Sequence, residues 1–272
     1  MSTYINDVAG VYLTNTTFAN NENIVSVDAS YTNWANNSMS AAFQYCNNLT
    51  TVTNLSNKIT SMVDTFWSCT NLVNAPVIPA SVTNMSSTFS LCSNLVNAPV
   101  IPNSITDMYR TFWNCTNLVD APAIPNVPNS YVSLVGTFGG CTNLVNAPTI
   151  PTSVWRVYGT FSRCSSLVNA PAIPNSVTDM HGAFSYCSNL VNAPIIPTSV
   201  TQVPNTFRDC VNLTGDIYVQ SSNITWADNC FNGTSLPKNV HVPANSTTYN
   251  SFVAAGYDDQ GTKDGVTLIA DL

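Results

Sequence analysis

Apolar and polar positions along the chain recur with a single period. Phe43, Phe66, Phe89 and Phe112 stand 23 residues apart, Phe138 follows after 26, and Phe161, Phe184 and Phe207 return to 23. Three residues after each Phe comes a cysteine, at Cys46, Cys69, Cys92, Cys115, Cys141, Cys164, Cys187 and Cys210. Three further on comes a leucine, from Leu49 to Leu213, and four before each Phe stands another apolar residue such as Met85, Leu134 or Val203. The Ile of each Ile-Pro pair, from Ile78 to Ile196, adds one more. A period of this size marks one supersecondary unit stacked on copies of itself, with the fixed apolar slots turned inward to form one continuous core. The expected fold is a repeat solenoid of short parallel strands with short helical or 3-10 turns, capped at both ends.

Within a unit, Phe-x-x-Cys-x-x-Leu has spacing near one helical turn, which predicts a short α or 3-10 segment. The string Leu72-Val-Asn-Ala-Pro-Val-Ile-Pro79 recurs with little change in the following units. Proline donates no backbone hydrogen bond and interrupts a sheet ladder, so strands of about two to four residues are expected there. The unit after Pro125 carries three extra residues around Asn126-Val127-Pro128, which predicts a loop on one face. Gly139-Gly140 reads as a turn.

Residues 1–38 read as an N-terminal cap containing an eroded repeat, because Phe18 and Ile24 keep the Phe-to-Leu spacing. Residues 39–235 read as the solenoid and 236–272 as a C-terminal cap. From Leu213 the pattern decays, and in strict register Cys230 falls in the Phe slot and Gly233 in the Cys slot. The cap offers a short helix between a polar N-cap near Asn245 and Gly256, then a closing strand over Val266-Thr-Leu-Ile-Ala270.

Only 8% of the residues are charged, against about 25% in an ordinary domain, so the polar surface has to be built mostly from Asn, Ser and Thr. The net charge is −7 with scattered acids and no basic run, which argues against nucleic acid as a partner. No apolar stretch is long enough to insert in a membrane. The opening Met1-Ser-Thr-Tyr-Ile-Asn-Asp7 has neither the basic nor the apolar region of a secretory signal. Eight of the nine cysteines share one repeat slot; a column of buried free thiols, each packing as a small hydrophobe, is the first reading, and disulfides between neighbouring coils, about 4.8 Å apart, are the alternative. Metal binding needs ligands converging at short spacing, which a 23-residue row does not supply, so no metal or other cofactor is expected.

Catalysis would need convergent acids, bases or nucleophiles. The histidines, His181 and His241, lie sixty residues apart, and Cys187, the thiol nearest His181 in sequence, occupies a core slot. No catalytic residues are assigned. Variation between units is more informative. The slots beside Met and after Phe hold Tyr109, Arg110, Trp113, Trp155, Arg156, Tyr158, Arg163, His181, Tyr186 and Arg208, which include all four arginines of the chain. Aromatic residues and Arg are enriched at binding hot spots, so these positions form the candidate binding face. The inserted loop near Val127 is expected to border it.

The pattern Val-Thr-x-Met-x-x-x-Phe-x-x-Cys-x-x-Leu, as in Val82-Thr-Asn-Met-Ser-Ser-Thr-Phe-Ser-Leu-Cys-Ser-Asn-Leu95, resembles the BspA-like leucine-rich repeat family. The likeness covers about residues 39–214, and the cap around Val240-His-Val-Pro-Ala-Asn-Ser-Thr-Thr-Tyr249 is also similar to ends seen in that family. The resemblance implies a leucine-rich-repeat solenoid with a role in surface adhesion, in proteins found on bacterial and protist surfaces and encoded by phages. Bacterial surface members usually carry a signal peptide and an anchor, and neither pattern is visible here. On that reading the first expectation is a virion component, decorative or receptor-binding, at the exterior of the particle. The alternatives are a cell-surface adhesin and an intracellular protein-interaction scaffold. The expected partner is a protein or glycan on a host or cell surface, or another virion protein.

Overall fold

Two residues in each coil from Phe43 to Phe231 adopt a left-handed backbone, and they decide its shape. One lies two before the Phe, as at Asp64 (φ 52°), Ser87 (φ 52°) and Arg110 (φ 50°); the other lies two after it, as at Ser68 (φ 62°), Leu91 (φ 63°) and Asn114 (φ 57°). The computed structural model that shows this describes residues 12–13, 18–29, 33–127, 132–234 and 238–272. In the coil around Phe89 the amides of Thr88, Ser90 and Cys92 each bond three residues back, to Met85, Ser87 and Phe89, all at 3.1 Å. The amides of Met85, Ser87, Phe89 and Leu91 point instead along the stack, to Asp107, Tyr109, Thr111 and Trp113 of the next coil, at 2.7 to 2.9 Å. The helix expected over Phe-x-x-Cys-x-x-Leu is thus a chain of turns. It keeps three-residue hydrogen bonds, but each left-handed residue redirects a neighbouring amide to the adjacent coil and no helix can propagate. The one 3-10 turn among the described residues is Ala35–Asn37.

Strands are correspondingly short and parallel. They are β1 (Tyr12–Leu13), β2 (Ser26–Asp28), β3 (Asn33–Trp34), β4 (Thr51–Thr53), β5 (Val132–Ser133), β6 (Val154–Arg156), β7 (Ile217–Tyr218), β8 (Lys238–Val242) and β9 (Val266–Ala270). β1 pairs with β3, β2 with β4, β5 with β6, and β7, β8 and β9 form a three-stranded closing sheet. Single bridges extend one column up the stack, from Ser38 through Ser61, Asn84 and Asp107 to Ser133, and from Arg156 through Asp179 and Gln202 to Trp226.

The inward slots are filled as the period predicts. The Phe, Cys and Leu slots from Phe43 to Leu213 have no exposed area. Their rings form a column from Phe18 to Phe231, with successive centroids 5.4 to 5.8 Å apart and nearly parallel planes. Phe252, on helix α1 (Thr247–Ala254), ends the column at 6.1 Å. The thiols do more than fill space: Cys92 Sγ donates to the carbonyl of Phe66 one coil back at 3.1 Å, and Cys115 Sγ to that of Phe89 at 3.0 Å. A buried Thr just before the Phe acts likewise, Thr88 Oγ1 donating to the Met62 carbonyl at 2.7 Å.

Two readings are corrected. The interval from Phe207 to Phe231 is 24 residues, not 23, and Phe231 stacks on Phe207 at 5.6 Å. The Phe slot is therefore Phe231, Cys230 takes the buried threonine slot, and Thr234 rather than Gly233 stands in the cysteine slot. The surface is also less polar than composition suggests: the uniform string turns Val73, Val96, Val119, Val145 and Val168 outward, and Val77 and Val100 are 88% and 87% exposed. The C-terminal helix forms where expected, with Ser246 Oγ accepting from the Tyr249 amide at 3.0 Å and Gly256 at φ 90° behind it.

Candidate functional site

The stack changes character over three successive coils. The coil around Phe112 carries Tyr109, Arg110, Trp113 and Asn114, whereas the next, around Phe138, has Gly136, Gly139 and Gly140 on the same face. Side chains on this face lean onto the following coil, so glycines there receive their neighbours. A Cβ on Gly136 would stand 3.0 Å from Arg110 Cγ, one on Gly139 3.1 Å from Trp113 Cδ1, and one on Gly140 1.8 Å from Asn114 Oδ1. Gly136 and Gly140 also take positive φ, 63° and 76°. One coil further, the Gly136 slot is Gly159, and nothing lies within 4 Å of where its Cβ would be.

The result is a groove of about 710 Å³. Tyr109, Arg110 and Trp113 form one wall, Tyr158, Ser162 and Arg163 the other, and the glycines with Val135 the floor. Tyr109 and Tyr158 are 39% and 45% exposed, so their rings are available to a ligand; Trp113 is half-buried because it lies over Gly139. The Arg110 guanidinium carbon is 5.1 Å from the Tyr109 ring centre and 5.5 Å from that of Trp113. Arg163 stands 5.2 Å from the Tyr186 ring, with Arg208 at 5.7 Å from the same ring. Arg208 is ion-paired with Asp209 at 3.2 Å. Among the described residues neither Arg110 nor Arg163 has a carboxylate within ion-pair distance. The lining contains two arginines and no acid, on a chain of net charge −7.

The ten positions singled out in the sequence therefore separate. Tyr109, Arg110, Trp113, Tyr158 and Arg163 converge on the groove. Tyr186 and Arg208 extend its arginine side, and His181 leans on Tyr158 with ring centres 4.6 Å apart. Trp155 and Arg156 form their own pair, with the guanidinium 4.1 Å from the ring, and do not line the groove. Of the insert, Val127 is described; it packs against the core and does not line the groove, while Pro128 lies outside the described residues. Gly136, Gly159, Asn114 and Ser162 carry no signal of their own in the sequence. Gly139-Gly140 is a turn as expected, but its consequence for the surface is legible only by comparing one slot across units: two before the Phe, the series runs Arg110, Gly136, Gly159, Gly182.

Two smaller grooves, of about 480 and 520 Å³, lie on the uniform face and are lined by Ala-Pro-x-Ile-Pro residues and their neighbours, without a charged side chain. Chemistry beyond binding has little support. Burial raises the thiol pKa at Cys164 and Cys187 well above its usual value, and a protonated thiol is a poor nucleophile. Among the described residues no three His, Cys, Asp or Glu converge as metal ligands would.

The BspA type leucine-rich repeat region is matched in six copies, over residues 9–119 and 135–254. The chain belongs to the BspA-type leucine-rich repeat family. No curated protein matches its sequence. Solved structures with the same BspA-type fold include a leucine-rich cell surface protein from Faecalibacterium prausnitzii A2-165, 21% identical with a TM-score of 0.52. That alignment covers 84% of this chain and 62% of the other, so the BspA-type chain described here spans about three fifths of its relative's length. A leucine-rich repeat protein from Bacteroides ovatus is 18% identical with a TM-score of 0.50, over 86% and 70% of the two chains.

Proposed function

We propose that this chain is a non-enzymatic recognition solenoid that acts at an exterior surface as an adhesin, with the glycine-floored groove as its contact site. The observation that carries the reading is the groove itself. Aromatic rings and arginines without carboxylate partners face each other across a coil stripped to backbone, on a molecule otherwise dressed in Asn, Ser, Thr and Val. Such rings offer flat apolar area and such arginines strong donors, and a concave site with a few polar groups is the general form of a binding pocket. A cell-surface adhesin is favoured over a virion component because the F. prausnitzii protein of the same fold is a cell surface protein, and no residue of the groove distinguishes a particle from a cell. No helix among the described residues is long and apolar enough to cross a membrane.

The test is an array of glycans and extracellular-matrix proteins probed with the purified chain. For whatever binds, Trp113→Ala should weaken the interaction by more than about 1 kcal/mol, roughly fivefold. Trp155→Ala, outside the groove, should cost less, and Asn97→Ala in the uniform string should change nothing measurable. Equal affinities for all three variants would remove the groove as the contact site.

A further inference from the structure

We propose that the ligand of the groove is a saccharide bearing a carboxylate on or beside a pyranose ring; this rests on the groove being the contact site. Three features point to that chemistry. The first is charge: Arg110 and Arg163 line the groove, no acid does, and neither arginine has an ion-pair partner among the described residues. A guanidinium presents a planar fork of donors that a carboxylate matches with two parallel hydrogen bonds, so two such forks without an internal carboxylate ask for one from outside. The second is shape. Arg110 and Trp113 lie over Gly136 and Gly139, but at Gly159 the floor is bare backbone, with nothing within 4 Å of where a Cβ would stand. A floor of this kind admits a ring lying close to the main chain. The third is the flank. Tyr109 and Tyr158 present exposed faces on opposite walls, and the C–H edges of a sugar ring pack on aromatic faces while hydroxyls remain for Asn114 and Ser162. An extended acidic peptide would use the guanidinium groups but not the bare backbone at Gly159.

The experiment titrates the full chain with 3′-sialyllactose, with a hyaluronan tetrasaccharide whose acid is glucuronate, with neutral lactose, and with hexaglutamate. At least one acidic saccharide should bind about tenfold or more tightly than lactose, and raising salt from about 50 to about 500 mM should weaken it. Which of the two binds distinguishes a sialic from a uronic acid. Arg163→Gln should lose most of that discrimination. Gly159→Asn should abolish binding by filling the floor while leaving the fold intact, because Asn205 holds the equivalent slot of a later coil at φ 54°; an unchanged thermal midpoint checks this. If lactose binds as well as either acid, or if hexaglutamate binds while no saccharide does, the saccharide assignment is overturned. In either of those cases the recognition reading survives if Trp113→Ala still reduces binding to the array. Loss of the Trp113 effect itself removes both.

Discussion

At the scale of the residue, the molecule is governed by where a Cβ can be tolerated. Each coil has two left-handed positions, and their occupants range from Gly136 and Gly140 to Arg110, Arg163 and Tyr186. Glycine adopts such a backbone freely and Asn tolerates it, whereas other residues are strained. Gly140→Ala should therefore destabilise the chain by about 2 kcal/mol, combining left-handed strain with a Cβ forced onto Asn114. Ser68→Asn, which copies the residue used at the same slot by Asn114, should instead raise stability by about 0.5 kcal/mol. Urea denaturation midpoints check both, and the same direction of change for the two variants would refute the strain assignment.

At the scale of the coil, the cysteine column couples packing to pH. Burial pushes the thiols of Cys92, Cys141 and Cys210 up to about 12 and moves those of Cys69, Cys115, Cys164 and Cys187 in the same direction. Because the folded pKa lies above the ordinary thiol value of 9.0, the folded chain keeps protons that the unfolded chain releases. The stabilisation is complete below about pH 9 and is lost as pH rises toward 12. At pH 10 each thiol pushed up to about 12 costs on the order of 1 kcal/mol relative to neutral pH, and several act together. Lys238 works in the opposite sense. Burial lowers it to about 8, so its own contribution grows between that value and the ordinary 10.5, but it is one group against a column. Under reducing conditions the thermal midpoint should fall steeply between pH 8 and pH 10. Cys141→Ala should be less stable at pH 8 yet lose less over that interval, and parallel curves for the two proteins would contradict the coupling.

At the scale of the whole molecule, stability is passed between neighbours along the stack. Each ring of the column touches the ring before and the ring after, as Phe112 does with Phe89 at 5.7 Å and Phe138 at 5.6 Å. Phe112→Ala should cost about 3–5 kcal/mol, and the loss should spread to the adjacent coils because they have no other support there. The Phe112 coil carries Trp113 and the next one Gly139, so hydrogen exchange would show deprotection across the groove while the C-terminal sheet of β7, β8 and β9 stays protected. Uniform deprotection from end to end would mean that the stack melts as one unit instead.

The sequence by itself determined the period, the inward slots and hence the solenoid, because a core made of identical coils needs the same apolar residue at the same place each time. It also marked the variable slots, and five of its ten candidates, Tyr109, Arg110, Trp113, Tyr158 and Arg163, meet in one groove. It did not show the turn geometry. Phe-x-x-Cys-x-x-Leu has the spacing of a helix, and only the inter-coil hydrogen bonds of Ser87 and Leu91 turn it into a chain of left-handed turns. Nor did it show that Phe231, and not Cys230, takes the Phe slot, since a single extra residue is absorbed in the bend that lets Phe231 keep its place on Phe207. The groove, finally, was decided by tertiary structure alone. What makes it is the absence of side chains at Gly136, Gly139 and Gly159, and an absence acquires shape only when the coils on either side are stacked against it.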